Sequence, residues 1–419
     1  MSVPLLIVVI VVPILALIAL FILLYFVHKY FPKLSRRKVK EHKSCIVEFH
    51  NEGSETPYLI KKNPDGSISD EDFRVVSCAD LHLSTEEHVF GLTVLERLID
   101  KVHPDLLVLV GDNACGRLDT YIEEQLIKFF ERKKLHYAFV LGNHDSERLI
   151  TNEMKKHNEV NKELYDSIQK KYRTFKFKAL MDSKYCVARL GEPNLFGAGN
   201  YSINIKNNSG IVKTLYFFDS GDYIFGVERK DPGTERRCYD HIHDDQLEWY
   251  KKEVKKNNAD SIVFFHIPCT EYIDAARLSL LPFYSLNKSF GNNYEKPSCS
   301  DMPDNTFKVF KECGSTKVVV VGHDHKNDSC IKYKGIKLMF SQGLQYDGAY
   351  NRRKHNPKIF SRLYKLGFKC YIEGVSVFDL NKDKIEITPV YAEKEKVYYG
   401  LEKYYKRAWL EDTNFKNEL

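Results

Sequence analysis

The sequence predicts an α/β fold behind an amino-terminal membrane helix, and three observations carry that reading. Five short apolar runs, residues 73–80, 106–112, 138–145, 262–266 and 318–325, are rich in Val, Leu, Ile or Phe and each is long enough for one buried strand. Helical spacing separates the first three, and an alternation of strand, helix and strand predicts right-handed crossovers and a mainly parallel sheet. Residues 4–27 carry no charge, and about 20 apolar residues suffice to cross a bilayer as one helix.

Taken in order, the apolar run reads as a retained signal-anchor over residues 1–28. No basic residue precedes it, it is too long for a signal-peptide core, and no small-x-small cleavage pattern follows. Pro13 within it is tolerable in a membrane helix. Residues 29–70 are polar and turn-rich (Asn63-Pro64-Asp65-Gly66) and read as a basic juxtamembrane linker with an edge strand near residues 45–49. The folded domain spans 71–390. Leu92, Leu95, Leu98 and Ile99 predict a helix after the first run, and Ile122, Leu126, Phe129 and Phe130 a second. Residues 146–173 read as a charged helical lid or flanking layer. Residues 186–190, 201–205 and 213–219 read as strands of a second sheet, and 244–253 as a helix feeding the 262–266 strand. Residues 278–305 read as a long loop, and 365–391 alternate as strands. The tail, 391–419, is helical, with Leu401, Tyr404, Tyr405, Ala408 and Trp409 forming an apolar stripe that packs on the domain.

The net charge of +6 has a local origin. Lys29, Lys33, Arg36, Arg37, Lys38 and Lys40 fall in the first 40 residues, which hold no acidic residue, so the remaining 57 basic residues match the 57 acidic ones. That balance gives no reason to expect a nucleic-acid partner. Ten cysteines without a CxxC pair leave zinc-finger and thioredoxin readings unsupported, and Cys78 and Cys115, beside two of the runs, read as reduced thiols.

The runs end in DLH (Asp80 to His82), GDN (ending at Asn113), GNHD (ending at Asp145), HIP (starting at His266) and GHDH (ending at His325). Ligands of open α/β sheets sit at the carboxyl ends of strands. Phosphoester hydrolysis near neutral pH needs a strong nucleophile and a neutralised phosphate, and two divalent metals about 3.5–4 Å apart provide both. Asp80, His82, Asp112, Asn143, His266, His323 and His325 are seven suitable ligands. Their mixed nitrogen and oxygen set suits Mn, Fe or Zn better than Ca, and better than Mg, which prefers oxygen ligands. A lone Asp after a strand is ordinarily a cap or turn residue, and a lone His is ordinarily a satisfied surface group. Coincidence at five strand ends overturns those ordinary readings. His88, His103, His136, His241 and His243 lie in no such motif and keep them.

The ordered set of motifs resembles the calcineurin-like metallophosphoesterase family over roughly residues 73–390. GAGNYSI (197–203), FFDSGDY (217–223), the 246–249 segment, FFHIP and GHDHKND (322–328) resemble its purple acid phosphatase-related subgroup, the short plant and fungal type. The resemblance implies a four-layer α/β/β/α sandwich of two facing mixed sheets. It implies a first metal on Asp80, His82 and His325, a second on Asn143, His266 and His323, and Asp112 bridging them. It implies that His144 contacts the phosphate and protonates the leaving oxygen, that Asp145 orients His144, and that a metal-bridging hydroxide attacks in line with no covalent intermediate. Purple acid phosphatases have an iron-binding tyrosine three residues after the bridging Asp; here Cys115 stands there, so no ferric-tyrosinate colour is expected. Arg148 and Asn327 are expected to line the pocket.

The expected partners are a phosphorylated protein or small molecule and, through the amino-terminal helix, a membrane. Sidedness signals conflict. Basic residues after the helix favour a cytoplasmic carboxyl side, whereas Lys416-Asn417-Glu418-Leu419 resembles a luminal retrieval address; the reading follows the tail into an endomembrane lumen. The alternatives to a phosphomonoesterase are a phosphodiesterase or lipid-headgroup hydrolase, and a catalytically silent membrane-tethered scaffold.

Overall fold

A computed structural model describes residues 7–392 apart from 31–32, 34, 36, 43–44, 54, 84–87, 116–118, 229–236 and 345–373. Sixteen strands are described: β1 (Ile46–His50), β2 (Tyr58–Lys62), β3 (Phe73–Cys78), β4 (Leu106–Val110), β5 (Tyr137–Val140), β6 (Tyr201–Asn207), β7 (Gly210–Phe217), β8 (Tyr223–Glu228), β9 (Arg237–Tyr239), β10 (Ser261–Phe264), β11 (Lys288–Phe290), β12 (Thr316–Val321), β13 (Cys330–Tyr333), β14 (Ile336–Phe340), β15 (Gly374–Leu380) and β16 (Ile385–Tyr391). They form two main mixed sheets. One has five strands in the order β16-β15-β3-β4-β5, the other nine in the order β1-β2-β6-β7-β10-β12-β14-β13-β11, and β8 and β9 make a separate hairpin.

The centre of each sheet is parallel. Strands β3, β4 and β5 run together, as do β7, β10, β12 and β14. The reason is local: the Leu-Val runs are buried throughout, as in 106–110 and 137–140, and parallel strands need helical crossovers that cover their faces. The two spacings of leucine and phenylalanine form the helices His88–Val102 and Asp119–Lys133. The charged stretch after the third run forms Glu147–Met154 and Lys162–Met181, and Asp244–Asn257 precedes β10.

Two hydrophobic clusters hold these layers. The larger takes residues from both sheets. Phe217 stacks on Phe264 at 5.2 Å within one sheet, and Phe264 meets Phe378 edge-on at 6.2 Å, so β10 touches β15 of the other sheet. Full burial of one such phenylalanine is worth about 1.5–3 kcal/mol. The smaller cluster packs Trp249, Tyr250, Tyr272 and Phe310 of the flanking helices against the nine-stranded sheet.

The fold differs from the sequence reading in places. The stretch read as a juxtamembrane linker contributes two strands; β1 is the expected edge strand, and β2 joins it to β6. Residues 186–190 were expected as a strand but pair only at Cys186. Tyr185 and Val187 bond Tyr137 from either side, and the chain then leaves toward β1, where the Arg189 guanidinium covers the Phe49 ring at 4.7 Å. The expected long loop at 278–305 includes a 3-10 turn, Tyr284–Asn287, and the short β11. The apolar stripe from Leu401 to Trp409 and the last four residues lie outside the described residues.

The helix Val12–Tyr30 follows a π turn at Ile7–Val11. Residues 9–27 have a mean hydropathy of 3.1, none of that window is buried, and the helix is long and apolar enough to cross a bilayer.

Candidate metal centre and active site

Every one of the five runs ends its strand two to five residues before a chemically active group, and three of the strands belong to one sheet and two to the other. The site therefore lies where the carboxyl ends of both sheets meet. Two loops are stitched side by side there: Asp80 N–H bonds the Gly111 carbonyl at 3.0 Å, His82 N–H the Asp112 carbonyl at 2.9 Å, and Cys115 N–H the Leu83 carbonyl at 3.0 Å. From the other sheet, Gly322 N–H bonds the carbonyl of His266 at 3.1 Å.

This close weave forces unusual backbone. Asp80, His82, Asp112 and His323 all hold positive φ, between 42° and 75°, a conformation that costs a non-glycine residue on the order of 1–3 kcal/mol and concentrates at functional sites. It also forces small residues. A Cβ on Gly142 would fall 2.1 Å from Oδ1 of Asp112, and one on Gly111 would fall 2.3 Å from Nδ1 of His266. The glycines of GNHD and GDN are there because imidazole and carboxylate occupy the space.

Two groups of ligand atoms result, each within 4.8 Å: Asp80, His82, Asp112 and His325, and Asp112, His266 and His323. Asp112 belongs to both. Its Oδ2 lies 3.4 Å from Nε2 of His82 and 3.3 Å from Nε2 of His266. Nε2 of His325 is 3.1 Å from Nε2 of His82 and 3.5 Å from Oδ1 of Asp80. Oδ1 of Asn143 is 3.2 Å from Nε2 of His266. His266 donates from Nδ1 to the Val110 carbonyl at 2.8 Å, which fixes the tautomer and leaves Nε2 for a ligand.

The residues fit two divalent cations. Oδ2 of Asp112 and Nε2 of His323 are buried polar atoms with no hydrogen-bond partner, a costly state unless something else satisfies them. Two imidazole nitrogens facing each other at 3.1 Å need a proton or a cation between them. The charges are likewise poised. Burial, opposed by His266, lifts the Asp80 carboxyl to about 6. Burial would lower His266, but Asp112 raises it to about 9. Asp112 itself, despite burial, is held well below the usual carboxylate range by His266 and His144.

Residues 73–327 match the family of calcineurin-like phosphoesterases. The chain belongs to that family. It is thus a phosphoester hydrolase by descent, and its Asp/His groups are the metal-binding cluster of a calcineurin-like phosphoesterase. Among curated relatives, it is 26% identical over 366 residues to the Arabidopsis thaliana "Probable inactive purple acid phosphatase 28", covering 79% of this chain and 81% of that one. It is 28% identical over 288 residues to "Phosphatase DCR2" of Saccharomyces cerevisiae, covering 62% of this chain and 45% of that protein. Among solved structures, purple acid phosphatase PPD1 of yellow lupin aligns with a TM-score of 0.45 at 12% identity, over 80% of this chain and 57% of that one.

Other residues of the phosphoesterase take places the sequence did not disclose. Asp145 was expected to orient His144. Instead its two oxygens accept the backbone N–H groups of Asp112, Asn113, Ala114 and Gly142 at 2.7–3.2 Å. It fixes the loop that carries Asp112, because a buried carboxylate is most cheaply satisfied by such a nest of donors. The carboxylate on the His144 ring belongs to Glu147, whose Oε2 is 2.6 Å from Nδ1. Burial lowers the His144 imidazole, but Asp112 and Glu147 together hold it above its ordinary value. The backbone N–H of His144 also bonds Oδ1 of Asp112 at 2.8 Å. Glu147 in turn accepts from Arg237 at 3.0 Å, and that guanidinium lies 3.9 Å over the Tyr223 ring. Tyr239 meets His323 edge-on at 4.4 Å. The β8–β9 hairpin thus walls the site. A Glu three residues past a His in the GNHD motif was the one available signal for Glu147.

Cys115 donates its thiol to the carbonyl of His82 at 3.4 Å and is in neither ligand group. All nine described cysteines are free. Asn327 is buried between the backbone N–H and carbonyl of Glu295, so it tethers a loop. Nε2 of His136 lies 3.1 Å from the Val47 carbonyl, away from either ligand group. His241 and His243 form a third group with Asp240 on the wall of a cavity of about 560 Å³. Burial alone would raise Asp240, but these two histidines pull it down to about 2.

Proposed function

We propose that the chain is a membrane-anchored phosphomonoesterase with a dinuclear centre, built on a four-layer α/β/β/α frame and held to the bilayer by the helix Val12–Tyr30. Asp80, His82 and His325 would hold one cation, Asn143, His266 and His323 the other, and Asp112 both. The observation that carries this reading is the Asp112 carboxylate common to both ligand groups, with its Oδ2 buried and without a hydrogen bond. The nitrogen and oxygen donor set favours Mn, Fe or Zn. Bound cations would lower the pKa of water and neutralise the phosphate oxygens. The chain's own groups supply the rest. Glu147 fixes the His144 ring through Nδ1 and stabilises its protonated form, so that Nε2 can give a proton to the leaving oxygen. Asp145 keeps the Asp112 loop rigid, so the donors need not reorganise.

The test is hydrolysis of p-nitrophenyl phosphate by the purified full chain with Mn²⁺. Asp112→Ala should lower kcat/KM by at least ~10³-fold, equivalent to about 4 kcal/mol. A higher rate on bis-p-nitrophenyl phosphate would turn the reading toward a phosphodiesterase. The word "inactive" in the Arabidopsis relative's name favours a silent scaffold as the competing reading. That reading wins if no phosphoester turns over, or if Asp112→Ala leaves the rate unchanged.

A further inference from the structure

Outside the amino-terminal helix, Phe283 and Leu286 are the most exposed large hydrophobic residues described, at 86% and 80%, and Leu281 beside them is 41% exposed. They sit on the 3-10 turn Tyr284–Asn287 and the residues just before it. Large apolar groups grouped this way on a surface mark an interaction site. What covers them follows from where the amino-terminal helix ends. Lys33 pairs with Gly291 in both directions, N–H to carbonyl, at 3.2 and 2.9 Å. The Lys33 ammonium bonds the carbonyl of Lys288. Asn292 donates its side-chain amide to the carbonyl of Lys29 at 2.9 Å. The carboxyl end of the apolar helix is therefore pinned to β11, and β11 begins two residues after Leu286. Phe283 and Lys288 are five steps apart along the chain, a reach of at most about 18 Å.

We infer that Leu281, Phe283 and Leu286 form a wedge that enters the same bilayer the helix spans, at the headgroup–acyl boundary. The inference rests on reading the Val12–Tyr30 helix as membrane-spanning. Its occupant is a lipid surface, and continuity with the helix end argues for it. The charge around the junction agrees: Lys29, Arg37 and Lys38 follow the apolar run, and residues 29–40 hold no acidic residue, a pattern that attracts anionic headgroups. A short apolar segment flanked by basic residues lies in the interface about 5–10 Å deep. The wedge also fixes the catalytic domain's height. Asn292, which holds the helix end, donates its backbone N–H to Oδ1 of Asp328 at 2.7 Å, three residues from His325. The GHDH loop then stands close above the bilayer surface, within reach of phosphoesters presented by membrane-borne molecules.

The test places a tryptophan at single positions in the full chain, reconstituted in phosphatidylcholine–phosphatidylserine vesicles with or without brominated acyl chains. The parent protein, with Trp249 and Trp409, gives the background. Leu17→Trp reports the spanning helix, Phe283→Trp the wedge, and Ile46→Trp an exposed apolar residue on β1, the opposite edge of the nine-stranded sheet from β11. The expected result is quenching of about two-fold or more by bromine at positions 17 and 283, a depth matching interfacial insertion, and none at 46. Quenching at 17 without quenching at 283 overturns the wedge while the anchor stands. Equal quenching at 283 and 46 also overturns it, as unspecific adsorption. No quenching at 17 overturns the anchor, and the wedge with it.

Discussion

Glu147 shows how much a single side chain can matter without touching the ligand set. Its carboxylate faces the His144 ring on one side and Arg237 on the other, so its work is to hold an imidazole in one orientation and one protonation state. Glu147→Gln keeps the shape and removes the charge. We expect kcat to fall by about 10-fold, part of the 10²–10⁴ that a positioned acid supplies, with KM little changed. Steady-state kinetics with and without the substitution checks this, and an unaltered kcat would remove Glu147 from the proton path. Such a residue hides in a sequence because a Glu in the first turn of a helix is unremarkable: it complements the helix dipole in any protein. The seven candidate ligands stood out in the sequence for the opposite reason. Asp, His and Asn directly after fully apolar strands have no ordinary cause at five places at once.

At the scale of elements, the Lys162–Met181 helix carries the most consequential contact outside the ligands. Arg173 is fully buried and paired with Asp219. It also donates to the carbonyls of Gly142 at 3.0 Å and Leu141 at 3.4 Å, and to the Ser146 hydroxyl at 3.4 Å. One guanidinium thus fastens the GNHD loop to the helix and to the end of β7. Arg173→Met would leave Asp219 buried without its partner, at a cost of about 3–5 kcal/mol. Denaturant unfolding should show the loss, with the double substitution Arg173→Met, Asp219→Leu recovering part of it. The sequence showed this helix only as a charged flanking layer, since an Arg amid Lys and Glu reads as solvated. The same disguise concealed β2. Lys61 looks like a surface residue, yet it is buried with its ammonium 3.1 Å from Asp105. Apolar strands and helix stripes are read from spacing; elements held by buried ion pairs are not.

At the scale of the whole molecule, the ligand groups span the seam between the two sheets. Asp80, His82, Asp112 and Asn143 follow strands of the five-stranded sheet, and His266, His323 and His325 follow strands of the nine-stranded one. Bound cations would then hold the sheets together. With each cation at ~100 times its Kd, binding contributes about 2.7 kcal/mol per site, or roughly 4 °C in Tm for a domain of about 300 residues. Chelation should lower Tm by that amount per site lost, and Asp112→Ala should be nearly indifferent to the chelator. Differential scanning calorimetry with and without chelator decides this.

The same division of ligands between sheets sets an order of events during synthesis. Residues 73–145 can emerge and fold their parallel strands early, but β15, which lies against β3 on the other flank, and the GHDH loop come from far later in the chain. A nascent chain ending before residue 323 lacks one imidazole of each proposed ligand group. Both proposed ligand groups would therefore be complete only once residue 325 has emerged, and any handover of two ions would have to follow the synthesis of the GHDH loop.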